Sequence, residues 1–283
     1  MTMTLIQASA TDLSSARVNW FRVLRAEWRK FRSIRSTYVL VAITLVVLIG
    51  MWAIVSAGFA FDESEGGPPP GIREALNPVA ISLRVSIMLT QLVVGVMGVL
   101  IVTNEYSTGM IRSTLAAVPR RIPVLTAKAV LLILVVVVVT LPAIFAAFFI
   151  GDAMLSTANL GLALNEPDVL RALVGGSLYM AGVGIFGSIL GWLLRSAAGA
   201  IATLVGVIIL LPVLLPLIPL GWVDTASEYL PSTVGQRIFM LSSVLDELTN
   251  QVDVDPVTGF GIFTAYAIAG LVISAWVLKR RDA

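Results

Sequence analysis

The sequence contains neither cysteine nor histidine, and only 13% of its residues are charged. Without cysteine, the chain cannot form disulfides, thiolate metal sites or cysteine nucleophiles. Without histidine, it lacks the usual general base, metal ligand and pH switch. No Gly-x-x-x-x-Gly-Lys-Ser/Thr motif is present, so the chain does not bind ATP through a P-loop. We therefore expect no catalytic, cofactor or metal site in this chain.

Apolar residues are what the sequence has in excess. They make up 58% of its 283 residues, which is more than a soluble domain can hide. Six apolar runs are long enough to cross about 30 Å of hydrocarbon as helices. The predicted spans lie near residues 37–57, 79–103, 124–150, 171–194, 197–220 and 260–278. The predicted fold is an all-α integral membrane protein, with a tail at 1–36 and a six-span domain at 37–283.

The distribution of charge predicts the orientation of these spans. An even number of spans places both termini on the same side of the membrane. That side carries 15 of the 19 Lys and Arg residues but only 4 of the 17 Asp and Glu residues. Because positive residues mark the cytoplasmic side, we predict that both termini are cytoplasmic.

An amphipathic helix is predicted just before the first span, between Arg17 and Arg35. Its large apolar residues recur at steps of three and four, which places them on one face. These residues are Trp20, Phe21, Leu24, Trp28 and Phe31. The arginines that flank them suit the headgroup layer of the cytoplasmic leaflet. We favour an interfacial helix over a plain cationic tail.

Segment 221–259, between spans five and six, is predicted to form short external helices. Its apolar residues keep helical spacing, and Ser232 or Thr233 would cap such a helix. The outer half of span five should be kinked or broken, because proline removes a helical hydrogen bond. The prolines concerned are Pro212, Pro216 and Pro219.

Polar and small residues inside the spans give weaker signals. Arg84 and Gln91 in span two are about two helical turns apart, so they share a face. Lining a transport pathway and reaching toward the interface are equally good interpretations of Arg84. Gly187 and Gly191 in span four match the small-residue packing pattern. We interpret that pattern as packing within the subunit rather than as subunit pairing.

The loop between spans two and three, Asn104–Arg121, is the one sizeable connection on the predicted cytoplasmic side. Its apolar residues Met110, Ile111, Thr114, Leu115 and Val118 keep helical spacing, which predicts a short amphipathic helix. Its polar and turn residues are Glu105, Gly109, Arg112, Pro119, Arg120 and Arg121. Among these, Gly109 loosens the backbone and Pro119 stops the helix. From the residues alone, an ordinary inner loop and an element that transmits force from a cytosolic partner are equally consistent.

The run Glu105-Tyr-Ser-Thr-Gly-Met-Ile-Arg-Ser-Thr-Leu-Ala-Ala-Val-Pro-Arg-Arg121 resembles the same loop in ABC-type transporter permeases of the type-2, exporter class. The cationic N-terminal helix is also similar to that of small bacterial members of this class. So are Glu228-Tyr-Leu-Pro-Ser232, followed by Gly235-Gln236, and the ending Arg280-Arg-Asp-Ala283. The resemblance extends over the whole six-span plan.

The resemblance implies a twelve-span unit of two permeases, the second being another copy or a paralogue. It implies that each permease docks a separate P-loop ATPase, which binds the ATP and Mg, in a bacterial cytoplasmic membrane. The loop 104–121 and the interfacial helix, with Trp20, Leu24, Trp28 and Phe31, would contact that ATPase. The implied ATPase-coupling residues are Glu105, Gly109, Arg112, Pro119, Arg120 and Arg121.

The predicted function is therefore that of a permease subunit without catalysis of its own, which exports a substrate with energy from a partner ATPase. Membrane lipid surrounds it, and we expect no nucleic-acid partner. Apolar, glycine-rich spans would suit an amphipathic or lipid-like substrate. One alternative is a scaffold or regulator that recruits a cytosolic partner. The other, an ion-coupled carrier, is less favoured because no Asp or Glu lies in the middle of a predicted span.

Overall fold

The structure is a computed structural model that describes residues 19–64, 77–118, 120–241 and 254–280. All regular elements within these ranges are helices. In chain order they are α1 Trp20–Ser33, α2 Arg35–Ser64, α3 Pro78–Ser107, α4 Met110–Ala117, α5 Ile122–Leu155, α6 Val169–Leu194, α7 Ala197–Val205, α8 Leu211–Leu214, α9 Gly221–Glu228, α10 Pro231–Gln236 and α11 Pro256–Arg280. Short 3₁₀ or π turns occupy Ser156–Ala158, Gly206–Leu210, Leu215–Leu217 and Arg237–Phe239.

Six helical segments of the described chain are long and apolar enough to cross a membrane. They are Arg35–Asp62, Pro78–Ser107, Ile122–Ala158, Val169–Leu194, Ala197–Leu217 and Pro256–Arg280. The number of predicted spans is thus confirmed. Most of these helices extend beyond their apolar runs because capping residues decide where a helix begins. Before α3, for example, the Asn77 side chain accepts a hydrogen bond from the backbone N–H of Ala80, and Pro78 follows at the first helical position.

Helices α3 and α6 form the centre of the bundle, and glycines bring them into close contact. Each of these glycines faces a backbone oxygen of the opposite helix. A Cβ atom on Gly98 would lie 2.0 Å from the carbonyl oxygen of Gly184, and one on Gly187 would lie 2.1 Å from that of Gly95. A Cβ atom on Gly191 would also contact residues of α3 closely. The predicted packing of these glycines within the subunit is therefore confirmed.

The fifth span is irregular, as its prolines predict. Helix α7 runs into a π turn at Gly206–Leu210, just before Pro212, and the span finishes in a 3₁₀ turn at Leu215–Leu217. Proline cannot donate a backbone hydrogen bond, so the regular helical hydrogen bonds around it are replaced by another pattern. The span accordingly stops at Leu217, short of the predicted residue 220.

Short helices are present after the fifth span, but their start differs from the prediction. Helix α10 begins at Pro231 with Leu230 in the cap position, whereas Ser232 lies inside the helix and is buried. Pro231 has a fixed φ that suits the first helical position, so it places the start two residues earlier than a cap at Ser232 would. The apolar positions predicted at Leu245 and Leu248 lie outside the described residues.

Candidate functional site

The first and last described helices meet at one end of the bundle, which we call the terminal end. A hydrophobic cluster there joins Val23 of α1, Ile111 of α4 and Leu278 of α11. Arg121, before α5, donates a hydrogen bond of 2.7 Å from Nη1 to the carbonyl oxygen of Leu278. This bond satisfies one of the carbonyls left open at the end of α11. Helices α1 and α4 therefore lie against the ends of the long helices.

Helix α4 is present where the loop sequence predicts it. Gly109 directly precedes α4 and has a φ of 70°. This is the left-handed region, which glycine occupies without steric cost. The chain can therefore turn sharply between α3 and α4. Ile111 and Leu115 are buried, and Arg112 and Ser113 on the opposite side are exposed. Helix α4 thus has one face fixed to the bundle and one face free of it.

Only part of the predicted apolar face of α4 is buried against the bundle. Its two central residues are buried, Thr114 and Val118 are half-buried, and Met110 is exposed. Met110 lies in the first turn, beside the bend at Gly109. Pro119, the predicted stop, lies outside the described residues.

Helix α1 begins after its cap residue, Asn19. The Asn19 side chain accepts a hydrogen bond of 3.3 Å from the backbone N–H of Phe21, as is typical of a helix start. The side packed on the bundle differs from the predicted aromatic face. Val23, Glu27 and Phe31 are buried, and Trp20 and Leu24 are half-buried. Phe21 and Trp28 remain 70% and 41% exposed. The contact face is therefore centred on an acidic residue, Glu27, which the prediction left out.

Four charged side chains meet under α1, and we call them the ion-pair quartet: Glu27, Lys30, Glu105 and Lys128. Lys128 Nζ lies 2.6 Å from Glu27 Oε2 and 2.8 Å from Glu105 Oε1. Lys30 Nζ lies 2.9 Å from Glu27 Oε1 and 3.0 Å from Glu105 Oε1. Glu27 and Lys128 are each 2% exposed and Glu105 is 5% exposed. Because two positive and two negative charges are paired at hydrogen-bonding distance, the quartet can remain buried.

The quartet joins three helices and is hydrogen-bonded to a fourth. Glu27 and Lys30 belong to α1, Glu105 to α3 and Lys128 to α5. Lys30 also donates to Thr114 Oγ1 of α4 at 3.0 Å. A displacement of α4 would therefore reach α1, α3 and α5 through a few direct bonds.

The charge of Lys30 is stabilised by its position in the quartet. Burial by itself lowers the pKa of this ammonium group. The hydrogen bond and charge of Glu27, joined by those of Glu105, outweigh that effect and raise the pKa above its ordinary value of 10.5. Lys30 is therefore fully charged at neutral pH.

Sequence reasoning places Glu105 in the site but overlooks its three partners. Lys128 carries a usable signal, since it lies inside a predicted span, where a charge requires a partner. Glu27 carries another, because it is the only acidic residue among the arginines before the first span. Periodicity alone cannot pair these residues, because the pairing depends on how α1 lies across α3 and α5.

The predicted coupling residues are distributed over different environments at the terminal end. Glu105 is buried in the quartet, and Gly109 forms the bend before α4. Arg112 and Arg120 are exposed. Arg121 is half-buried, with a φ of 49°, and holds the end of α11. Glu105 and Arg121 are thus positioned for internal contacts, whereas Arg112 and Arg120 are accessible to another protein.

The predicted pathway residues Arg84 and Gln91 lie in different surroundings. Gln91 is 2% exposed, and its Oε1 accepts a hydrogen bond of 2.7 Å from the Tyr179 hydroxyl. Arg84, two turns closer to the start of α3, is exposed. The structure therefore separates the two residues, with Gln91 in the packed interior and Arg84 on the surface.

No protein-family model matches the chain, and no curated protein matches it. In the described residues, no group of three or more acidic side chains is arranged to hold a metal ion. The terminal end therefore carries the features that bear on function. Helix α4 is attached to the bundle by one face and is exposed on the other, polar face, and the ion-pair quartet connects it to the long helices.

Proposed function

We propose that this chain is the membrane-spanning permease subunit of an ATP-binding-cassette exporter, driven by a separate P-loop ATPase that binds the ATP and Mg. The observation that carries this proposal is helix α4. Ile111 and Leu115 attach one face of α4 to the bundle, while Arg112 and Ser113 remain exposed on the other. A short, rigid helix with a free polar face suits the transmission of movement from a cytosolic protein.

In the proposed mechanism, movement of the ATPase displaces α4. The hydrogen bond from Lys30 to Thr114 passes this displacement to the quartet. Glu27 then carries it to α1, and Glu105 and Lys128 carry it to α3 and α5. Because each member is bound to two oppositely charged neighbours, the four helices move as a unit. Glu105 acts as a positioning residue and does not contact the ATPase itself.

The proposed orientation places the terminal end in the cytoplasm of a bacterium, so that both termini are cytoplasmic. Helix α1 then lies at the membrane surface. Its exposed Phe21 and Trp28 would contact lipid, and its arginines would reach the headgroups. Helices α9 and α10 would lie on the external side. This orientation is supported by the excess of positive residues at the terminal end.

The proposed complex contains two permeases, the second being another copy or a paralogue. Support comes from the uneven burial of the spans. In the apolar 18-residue stretch of each span, buried residues make up only 22% for α2, 17% for Ala197–Leu217 and 22% for α11. The corresponding share for α6 is 72%. The little-buried spans offer enough apolar surface for both lipid and a second permease.

Co-expression with the P-loop ATPase encoded by the neighbouring reading frame tests the proposal. We expect the two chains to co-purify and the complex to hydrolyse ATP. Arg112→Ala should lower co-purification several-fold, because it removes an exposed charge from the docking face. The matched control is Arg84→Ala, which removes an exposed charge at the other end of the bundle and should leave co-purification unchanged.

Two results would contradict the proposal. Stable co-purification without ATP-dependent transport of any amphipathic probe in vesicles would favour the scaffold. Transport by the chain alone, driven by a proton or sodium gradient and independent of ATP, would favour the ion-coupled carrier.

A further inference from the structure

A cavity of about 420 Å³ lies beside the quartet, between the α1–α2 junction and the last turns of α3. Its volume falls within the range of small-molecule binding sites. Lys30 and Glu105 form part of its wall, but the cavity extends well beyond them along α3. The permease mechanism proposed above makes no use of this space.

The wall of the cavity changes from apolar to polar along α3. Met97, Leu100 and Ile101 line one part, and Asn104, Glu105 and Thr108 line the next two turns. These positions extend over about 16 Å at 1.5 Å per residue. The opposite wall follows the same gradient, from Leu40 of α2 to Ser33 at the end of α1. Such a cavity fits a molecule with an apolar tail and a polar head.

The hydrogen bonds of the quartet indicate which head groups fit. An ammonium group has three protons to donate. Lys30 donates to Glu27, Glu105 and Thr114. Lys128 donates to Glu27, Glu105 and the carbonyl oxygen of Ile101. Both lysines are therefore saturated, and neither has a proton left for a phosphate or carboxylate head group.

The remaining polar groups of the cavity wall are uncharged. Ser33, Ser36, Thr37, Asn104 and Thr108 bring hydroxyl and amide groups to it. Such groups both donate and accept hydrogen bonds, so they suit a neutral head group that does the same. The quartet already has equal numbers of positive and negative charges, which leaves no net negative charge to balance a cationic head group.

We propose that this cavity binds a neutral single-chain amphiphile through a hydroxyl head group, as in a monoacylglycerol. The hydroxyls form hydrogen bonds with Asn104 and Thr108 at the polar end, and the acyl chain lies along Met97, Leu100 and Leu40. The proposal concerns binding alone, so it holds whether or not the chain is a transporter.

The test measures equilibrium binding of radiolabelled monododecanoyl glycerol to the full chain in phosphatidylcholine nanodiscs, with empty discs subtracted. The protein is purified without alkyl glycoside detergents, because their hydroxyl heads would occupy the same site. We expect saturable binding of one probe per chain. Dodecylamine and dodecanoate should compete about tenfold less well or worse, since each brings a charge without a partner.

Two variants test the position of the site. Leu100→Trp fills the apolar part without touching the quartet, and it should weaken binding about tenfold or more. The matched control Leu170→Trp adds the same ring at an exposed position at the start of α6 and should bind like the unaltered chain. Asn104→Leu removes the amide from the polar end of the cavity and should also weaken binding.

Several outcomes would overturn the proposal. These are no saturable binding to the unaltered chain, equal or stronger binding of dodecylamine or dodecanoate, and unchanged binding by Leu100→Trp. If Asn104→Leu does not fold, the comparison of Leu100→Trp with Leu170→Trp still decides the question.

Discussion

The terminal end and the opposite end of the bundle are held together by different chemistry. At the terminal end, the ion-pair quartet, three of whose four members are buried, links α1, α3 and α5. Toward the opposite end, the contacts are between neutral groups. The Tyr179 hydroxyl donates a hydrogen bond to Gln91, and the centre of the Tyr179 ring lies 5.3 Å from those of Phe239 and Phe263. We expect the ion pairs to depend on one another, because each charged group contacts two of opposite sign. We expect the aromatic contacts to be largely independent, so the two ends should respond differently to substitution.

The largest effect should come from removing one member of the quartet. Lys128→Met leaves Glu27 and Glu105 with Lys30 as their only cation, and breaking a buried ion pair in this way costs about 3–5 kcal/mol. Unfolding of the purified protein, followed by tryptophan fluorescence, measures the loss. The double variant Lys128→Met, Glu27→Gln removes one charge of each sign and should recover part of it. A loss below about 1 kcal/mol for the single variant would mean that the quartet is not a unit.

A smaller effect is expected at the opposite end. Tyr179→Phe leaves the buried Gln91 oxygen without this donor, at a cost of about 1–3 kcal/mol. The ring contacts of Tyr179 remain. The matched control is Tyr266→Phe, which removes an exposed hydroxyl that donates to the Tyr229 carbonyl, and it should cost less. If Tyr179→Phe destabilises the protein as much as Lys128→Met does, the contrast between the two ends is wrong.

The smallest effect is a pH dependence specific to the terminal end. The pKa of Lys30 is raised above 10.5 in the folded protein, so the folded state holds this proton more tightly than the unfolded state. Its contribution to stability is therefore complete below pH 10.5 and is lost as the pH rises through the folded pKa. Unfolding curves of the unaltered chain and Lys30→Met, measured from neutral pH upward, should converge only in alkaline solution. A constant difference across that range would contradict the raised pKa.

The elements that depend on local composition could be predicted from the sequence. The six long helices follow from apolar runs that lipid requires to be helical. Helix α4 follows from its apolar spacing and from Gly109, which permits the turn before it. The predicted start of α10 was wrong by two residues, because Pro231 determines it more strongly than Ser232 does.

The candidate site could be predicted only in part, because its chemistry depends on tertiary pairing. The spacing of aromatic residues favoured a face of α1 that includes Trp28. The structure buries Glu27 instead, since Lys128 of α5 lies where α1 crosses it. Glu105, predicted as an ATPase-coupling residue, is bonded to two lysines that the prediction did not include. No periodicity within one segment contains this information.

The central claim, that the free face of α4 docks an ATPase, has a direct test because the chain has no cysteine. Ser113→Cys introduces a single thiol on the exposed face, and Ser156→Cys does the same at the opposite end. Each variant, co-expressed with the neighbouring P-loop ATPase, is labelled with a thiol-linked photo-cross-linker. The account predicts a cross-link to the ATPase from residue 113 and none from residue 156. A complex that forms without a cross-link from residue 113 would contradict it.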